Sequence, residues 1–460
     1  GKVESGGQEH LYLETQGSIA IPQEGGKIRI ISSTQSPTAV QKTAARILGV
    51  EMNNIEVDVL RLGGAFGGKE DQATHWAVMS ALAAHKLDKP VKLVLSRMDD
   101  LRMTGKRHPY SSDYKIGLTS EGKILAFEAT YYQNAGAFAD LSPAILDRTL
   151  FHATNSYYIP NVRATGISCK TNLPPNTAFR GFGGPQGKFV IEAALYKAAE
   201  KMGIDATEIQ QKNLLKDGDI FYYGQPVENS HAERCWIKAD EKYDVKKLKQ
   251  DVENFNSKNY QLKKGIALIP ICFGISFTNT LLNQASALVH VYTDGSIGVS
   301  TAAVEMGQGV NEKIKIAVAK TFSVSHDRIR VETTNTTRAA NTSATAASSG
   351  ADLNGNAAIL ACRNILERLL KVAQEELKVS NTRELELRDE VIFHKGIKTK
   401  LVWYELVKLT YQKRISLSSQ AFYATPNIYF YKETNAGRPF SYHVYGTGIL
   451  TVTLDCLRGT

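Results

Sequence analysis

Four glycines surround one phenylalanine between Arg61 and Glu70, in the sequence Arg-Leu-Gly-Gly-Ala-Phe-Gly-Gly-Lys-Glu. Residues 54–62 before this loop alternate as a β-strand does, and residues 71–87 after it have the pattern of a helix. A glycine loop between a strand and a helix presents backbone N–H groups to an anion. Because glycine loses more conformational entropy on folding than any other residue, this density of glycines predicts a close contact between backbone and ligand.

Three further loops of small residues occur at comparable places, each between a predicted strand and a predicted helix. They are residues 178–187, 305–309 and 341–350. The helices that follow are predicted to end near residues 202, 322 and 378. Several loops of one type indicate one extended ligand held from several sides. The sequence therefore predicts an α+β chain of two mixed α/β domains, with the ligand between them.

A polar stretch rich in lysine and asparagine separates the two predicted domains. We predict a first domain at residues 1–218, a connecting region at 219–262 with one helix at 244–255, and a second domain at 263–460. The chain has no initiator Met, and its last residues have the pattern of a hairpin without its second strand. We therefore expect it to be a piece of a longer protein.

The composition excludes several function classes. The chain of 460 residues is 43% hydrophobic and 22% charged, as is typical of a soluble globular protein. It contains no apolar run of about 18 residues and no signal-peptide core, so we expect a cytoplasmic protein without a membrane span. The net charge is +9, but the lysines at 246–249 are flanked by acidic residues, so we expect no nucleic-acid partner. The five cysteines form no Cys-x-x-Cys pair, which argues against an iron–sulfur or zinc site within the chain.

A nucleotide is the first candidate for the anion, because Gly63, Gly68 and Lys69 match the start of a phosphate loop. The next residue of such a loop is a Ser or Thr whose hydroxyl binds Mg²⁺, and here it is Glu70. A carboxylate at that position repels phosphate. None of the loops spells the Gly-x-Gly-x-x-Gly of a dinucleotide fold either, so neither nucleotide class is favoured.

Five short motifs occur in the order and style of the molybdenum-binding part of the xanthine dehydrogenase/oxidase family, which the chain resembles from residue 1 to residue 460. They are Gly7–His10, Gly63–Glu70, Thr177–Gly187, Glu305–Gly309 and Thr345–Gly355, and the stretch Asn176–Gln186 is highly specific. The resemblance implies a molybdopterin cofactor in its dioxothiomolybdenum form, one long anion held between two domains. It also implies iron–sulfur clusters and FAD on a partner chain or a missing region, and a dimer of the assembled enzyme.

The resemblance implies roles for individual residues. Gln8 hydrogen-bonds an oxo group at the molybdenum, which is itself held through the pterin and not by a protein side chain. The cofactor-binding residues are Gln8, Phe66, Gly67, Arg180, Gln308, Ala346, Ala347 and Ser348; the substrate-binding residues are Glu70, Arg148, Phe182, Phe277 and Thr278; the catalytic residues are Gln8, Glu70 and Arg148.

Each of these residues also has an ordinary structural interpretation. A lone phenylalanine is usually a core residue, although Phe66 and Phe182 lie inside glycine loops where core packing is less natural. Glu70 at the start of a helix suits the helix dipole. Arg148 has Asp140 and Asp147 as nearby partners for a surface ion pair. Only the resemblance favours Glu70 and Arg148 as site residues.

Glu70 and Arg148 also bear on the substrate. Within the family, aldehyde oxidases carry apolar residues at these two positions, and carbon monoxide dehydrogenases place a copper-binding cysteine in the loop that here contains Gly181 and Gly183. The resemblance therefore implies a purine hydroxylase that converts hypoxanthine to xanthine and then to urate. The implied mechanism is attack of a molybdenum-bound hydroxide on a ring carbon, with hydride transfer to a sulfido ligand.

Two alternatives remain open. One is a hydroxylase of aldehydes or of another N-heterocycle. The other is a catalytically incomplete fragment, because the family's general base is a glutamate in a Gly-Glu-Pro motif and no such motif occurs in these 460 residues.

Overall fold

A computed structural model describes residues 1–460 as eleven α-helices and twenty β-strands. The helices, α1 to α11, are Pro37–Leu48, Gln72–Leu87, Arg97–Met103, Ser142–Phe151, Gly184–Met202, Ala206–Lys212, Ala232–Tyr243, Val245–Lys258, Val310–Phe322, Gly350–Leu377 and Trp403–Gln412. The strands, β1 to β20, are Lys2–Ser5, Gly17–Pro22, Ile28–Ser32, Ile55–Val59, Val91–Val94, Tyr110–Leu118, Ile124–Gly136, Asn161–Lys170, Leu262–Ile275, Gln284–Val291, Ile297–Thr301, Ile329–Val331, Thr334–Asn335, Leu385–Arg388, Val391–His394, Ile397–Val402, Ser418–Ala424, Tyr429–Tyr431, Ala436–Arg438 and Tyr442–Asp455. None of the helices is long and apolar enough to cross a membrane.

The first sheet carries the glycine loop at residues 61–70. Its strand order is β13-β4-β3-β2-β5, and helices α1 and α2 contribute to its core. Ile28 and Ile30 alternate into this core, as expected for a strand covered on one face. Strand β13 comes from the second half of the chain and pairs Thr334 with Val59 of β4. The two halves are therefore joined within one sheet.

The second sheet has the order β1-β6-β7-β8, in which β7 and β8 are parallel. Helix α4 lies in the connection between these two strands, and helix α5 packs Ile191 and Leu195 against the sheet's core. Strand β9 belongs to a long two-stranded ribbon with β20, and its Leu268 is buried in this same core. The ribbon thus brings residues from beyond position 262 onto the first half of the chain.

The third sheet, of order β12-β11-β10-β17, lies against helices α9 and α10. Helix α10 buries Ala361, Ile365, Leu369 and Val372, whose spacing of three and four residues places them on one face. This core is separate from those of the first two sheets. The mixed α/β fold predicted from the sequence is confirmed.

The helices predicted after the four loops are confirmed, because they end at Leu87, Met202, Phe322 and Leu377. One prediction was wrong. The connecting region contains two helices, α7 and α8, instead of one at 244–255, and a left-handed Asp244 separates them.

We predict that Leu369→Ala lowers the free energy of unfolding by about 2–5 kcal/mol, because it removes a fully buried side chain from the core of the third sheet. Urea unfolding followed by fluorescence and circular dichroism measures the change. Ile316→Ala on the exposed side of α9 is the matched control and should change stability by less than about 1 kcal/mol. Equal losses in the two variants would contradict the assigned core.

Candidate functional site

A cavity of about 630 Å³ is lined by loops that follow strands of all three of these sheets. All four small-residue loops named from the sequence contribute to its wall, and Arg148 of α4 and Phe273 of β9 complete it. The lining residues used below are Gln35, Phe66, Gly67, Glu70, Arg148, Arg180, Phe182, Phe273, Gln308, Ala346, Ala347 and Ser348. The structure therefore brings together loops that are separated by up to about 280 residues in the sequence.

The first loop needs its glycines because other chain segments touch its backbone. Gly67 has a φ of 101°, and a Cβ there would lie 2.8 Å from the carbonyl oxygen of Ala178. At Gly68 a Cβ would lie 2.8 Å from the ring of His10. Both distances are shorter than any ordinary contact, so only glycine allows the loops at 63–70 and 178–187 to approach each other.

Gln35 fixes this loop to the second half of the chain. Its side-chain oxygen accepts a hydrogen bond from the Gly67 N–H at 2.9 Å, and its side-chain nitrogen donates to the Thr345 carbonyl at 3.0 Å. The Thr345 N–H in turn donates to the backbone carbonyl of Gln35 at 2.9 Å. Gln35 was not predicted from the sequence, because a glutamine between a strand and a helix carries no pattern of its own.

The fourth loop forms a concave group of N–H donors. Ala347 and Ser348 both have left-handed backbones, with φ of 54° and 58°. The N–H groups of Ala346, Ala347 and Ser348 donate to no protein atom, and helix α10 begins at Gly350 immediately after them. Successive free N–H groups at a helix N-terminus favour an anionic group. The structure contains no cluster of three or more His, Cys, Asp or Glu side chains suited to a metal ion.

The third loop is shaped by Glu305. Its carboxylate accepts hydrogen bonds from the N–H groups of Gly307, Gly309 and Asn311. Burial alone raises the pKa of Glu305, but these donors outweigh it and hold the pKa below its usual value. The Gln308 amide binds the Met306 N–H and the Val304 carbonyl, so in this structure it orders its own loop.

Glu70 is a buried carboxyl that makes no side-chain hydrogen bond or ion pair within the protein, and it is 6% exposed. Its pKa is raised to about 8, mainly by burial and also by the neighbouring carboxylates of Asp71 and Asp140, while Arg148 opposes them. At neutral pH Glu70 is therefore mainly a protonated acid that can donate a hydrogen bond into the cavity. This position differs from an ordinary first-turn carboxylate on a helix surface.

Arg148 is 1% exposed and extends from α4 towards the end of β9. It donates to the carbonyl of Gly274 at 2.9 Å and to that of Ser276, while its Nε has no acceptor. Burial lowers its pKa to about 10, so the guanidinium stays charged at neutral pH. The surface ion pair with Asp147 does not form, because Asp147 instead lies 3.8 Å from Lys432.

Three predicted site residues lie outside the cavity wall. Gln8 is exposed, and its side-chain oxygen accepts from Nε of Arg107 at 2.9 Å. Phe277 is buried against Ala346 and Ala347, which places it behind the wall, and the adjacent Thr278 is half-buried. The roles that the sequence predicts for these three residues stay predictions. Phe273, four residues before Phe277, is the aromatic residue of this segment that faces the cavity.

The remaining predicted residues line the cavity. Phe66 and Phe182 have left-handed backbones with φ of 54° and 49°, which turns both rings out of the main cores. Phe66 is 43% exposed, Phe182 is half-buried and Arg180 is exposed. The Arg180 N–H donates to the Phe66 carbonyl at 2.9 Å, which joins the first two loops.

Comparison with known proteins gives a consistent family. Models of a molybdopterin cofactor-binding domain match residues 1–214 and residues 238–460. The chain is 42% identical over 462 aligned residues to the xanthine dehydrogenase/oxidase of Mus musculus and 39% identical to the xanthine dehydrogenase of Dictyostelium discoideum. Each alignment covers 100% of this chain but only 33% and 32% of those proteins. The chain therefore spans about a third of the length of the curated relatives it matches.

Solved structures share the fold. Quinoline 2-oxidoreductase from Pseudomonas putida 86 aligns with a TM-score of 0.87 at 19% identity, over 100% of this chain and 60% of that one. Aldehyde oxidoreductase from Desulfovibrio gigas aligns with a TM-score of 0.83 at 24% identity, over 100% of this chain and 47% of that one. At these identities the likeness establishes the fold alone.

We predict that Gly67→Ala destabilises the protein by about 2–4 kcal/mol, because the new Cβ combines a strained φ with a clash against the Ala178 carbonyl. Gly307→Ala is the matched control: its φ of 106° is equally unfavourable, but its Cβ meets open space. Urea unfolding of both variants separates the two effects. If the two losses were equal, close approach of the loops would not explain the glycine at position 67.

We predict that Glu70→Gln becomes stabilising relative to the parent as the pH rises. The folded-state pKa of about 8 lies above the ordinary value of 4.5, so ionisation of Glu70 penalises the folded state progressively between these pH values. The difference in unfolding free energy between variant and parent should grow by on the order of 4 kcal/mol from about pH 5 to about pH 8.5.

Urea unfolding across this pH range tests the expectation. Glu376→Gln is the control, because Glu376 is exposed on α10 and makes no ion pair. Its difference from the parent should not change with pH. A pH-independent difference for Glu70→Gln as well would show that Glu70 does not titrate as an isolated buried acid.

Proposed function

The chain belongs to the molybdopterin cofactor-binding domains of the xanthine dehydrogenase/oxidase type, and we propose that it forms the part of such a molybdenum oxidoreductase that hydroxylates purines. The proposed conversion is hypoxanthine to xanthine and xanthine to urate. The observation that carries this proposal is that Glu70 and Arg148 line one cavity together with the four loops.

The cavity residues suit molybdopterin. The free N–H groups of Ala346, Ala347 and Ser348 offer three donors to an anionic group of the cofactor, and no rearrangement is needed to expose them. Gln35 retains one side-chain N–H beyond its bond to Thr345. We therefore propose Gln35 as a further amide contact to the cofactor, beside the contact predicted for Gln8, whose side-chain oxygen accepts from Arg107 in this structure. When bound, the cofactor in its dioxothiomolybdenum form supplies the oxygen-transfer and two-electron chemistry.

The substrate end of the cavity suits a flat heterocycle with polar edges. Protonated Glu70 donates a hydrogen bond to a ring nitrogen or an oxo group. The Arg148 guanidinium stabilises negative charge that develops on a ring carbonyl during attack on the ring. Of the two polar contacts this one contributes more, because charge interactions are stronger in a site shielded from water. Phe182 and Phe273 supply aromatic walls, and Phe277, the aromatic partner expected from the sequence, is buried against Ala346 and Ala347 of the fourth loop.

Several parts of the reaction belong to the rest of the enzyme. No Gly-Glu-Pro motif occurs in this sequence, so we expect the general base to be supplied from outside these residues. We likewise propose that electrons leave to iron–sulfur and FAD modules outside the chain, that the assembled enzyme is a dimer, and that it is cytoplasmic. Supplying the general base, the electron carriers and a second subunit from outside requires no change in the cavity residues described above.

In the assembled enzyme, we predict that Glu70→Leu and Arg148→Met each lower kcat/KM for hypoxanthine by at least 100-fold, because each removes a polar contact made only with a purine. Turnover of an aromatic aldehyde should fall by less than about tenfold, since an aldehyde engages neither group. Steady-state kinetics, normalised to molybdenum content, measures the ratio of variant to parent kcat/KM for each of the two substrates.

Arg363→Met, an exposed arginine on α10 without an ion pair, is the control and should change neither ratio. Because Arg148 also binds backbone carbonyls of β9 and the segment after it, Glu70→Leu is the stricter of the two variants. Equal losses on both substrates would refute the purine-specific roles. Absence of purine turnover in the parent enzyme, with aldehyde turnover intact, would favour the alternative substrate class.

A further inference from the structure

Lys188 is a buried lysine directly behind one wall of the cavity. It lies in the first turns of α5 and is 9% exposed. Its ammonium is 5.0 Å from the ring centre of Phe273, and the guanidinium carbon of Arg148 is also 5.0 Å from that centre. Phe273 lines the cavity, so two buried cations flank a single aromatic wall.

No carboxylate of the protein forms a direct ion pair with either cation, although Glu192 interacts with Lys188 through space. Neither Lys188 nor Arg148 has a carboxylate within 4.0 Å. The carboxylate closest along the helix, Glu192, is engaged by Asn155 at 2.7 Å, Tyr157 at 2.9 Å and Gln210 at 2.8 Å. Burying a charge without a partner is unfavourable, so this arrangement calls for an explanation.

Burial raises the pKa of Glu192 to about 7, so this carboxyl group is partly ionised at neutral pH, and the remaining titratable groups around Lys188 are neutral. Burial raises the pKa of the Cys272 thiol to about 12 and lowers that of His443 to about 3. Burial also holds the pKa of His152 far below its usual value, and the His152 ring donates through Nδ1 to the Arg148 carbonyl while Nε2 accepts from the Gly274 N–H. Burial lowers the pKa of Lys188 itself to about 8, so the ammonium is mostly charged at neutral pH.

The cavity end that contains Glu70, Arg148 and Phe273 is therefore positively charged. Glu70 is mainly uncharged at neutral pH, and Glu192 offsets the charge of Lys188 only in part and from a distance. A bound anion at this end of the cavity would interact with both cations in a site of low dielectric constant. Lys188 lies behind the Phe273 ring and does not line the cavity itself.

We infer that Lys188 is a specificity-determining residue that makes this end of the cavity favour the anionic form of an N-heterocycle, one that has lost a ring N–H proton. The inference rests on the proposed purine function and names the charge state that the site selects. Among purines, urate is an anion near neutral pH, whereas hypoxanthine is uncharged.

The test measures dissociation constants of urate and hypoxanthine for the assembled enzyme at pH 7, by isothermal titration calorimetry. Lys188→Met keeps the length and apolar stem of the side chain but removes the charge. We expect the urate constant to rise about tenfold and the hypoxanthine constant to change by less than about twofold. Lys188→Arg restores the charge and should keep the urate constant within about threefold of the parent.

Lys201→Met is the control for net charge, because Lys201 is exposed near the end of the same helix. It should alter neither constant. If Lys188→Met changed both constants equally, or changed neither, or if Lys188→Arg failed to restore urate binding, the charge-selective role would be overturned. A parent enzyme that bound neither purine would overturn the proposed function itself, which distinguishes the two failures.

Discussion

The buried side chain of Gln35 links the two halves of the site, and the cavity depends on this link. One side-chain amide binds Gly67 of the first loop and Thr345 of the fourth, two positions that lie far apart in sequence. A single neutral hydrogen bond contributes only about 0.5–1.5 kcal/mol net. Here, however, loss of the amide would leave a buried N–H and a buried carbonyl unsatisfied, which is more costly. The pairing of β13 with β4 and the bond from Leu62 N–H to Glu305 carbonyl reinforce the same junction.

Burial has opposite consequences for the two charged residues of the site. It converts Glu70 into a neutral acid near pH 7, whereas Arg148 keeps its charge because its pKa starts much higher. The cavity therefore presents one neutral donor and a fixed cation, and Lys188 adds a second cation behind Phe273. A site of this kind holds a polar heterocycle by its edges and stabilises negative charge on it. The same low dielectric constant that shifts the pKa values also strengthens these interactions.

Local patterns were sufficient to place the loops but not their partners. Glycine density and the strand-to-helix change identified 63–70 and 178–187, since both signals depend on neighbours in the chain. Gln8 and Phe277 were expected at the site and lie outside the cavity wall, while Gln35 and Phe273 line it. The distinction between Phe273 and Phe277 depends on where β9 ends and on the Asn283 side chain, which binds the backbone of Phe277 on both sides. The periodicity of the sequence does not indicate which of these two phenylalanines faces the cavity.

The sequence by itself determined the class of the fold, the helices around the site and the places of the glycine-rich loops, because these follow from local backbone preferences. It also supplied Glu70 and Arg148 as candidates through resemblance. Only the tertiary structure decided that these two residues share a cavity, that Glu70 is a neutral acid there, and that Lys188 lies behind Phe273. Those properties arise from burial and from distances between segments that are remote in the chain. The desolvation of a side chain cannot be predicted from the order of the residues.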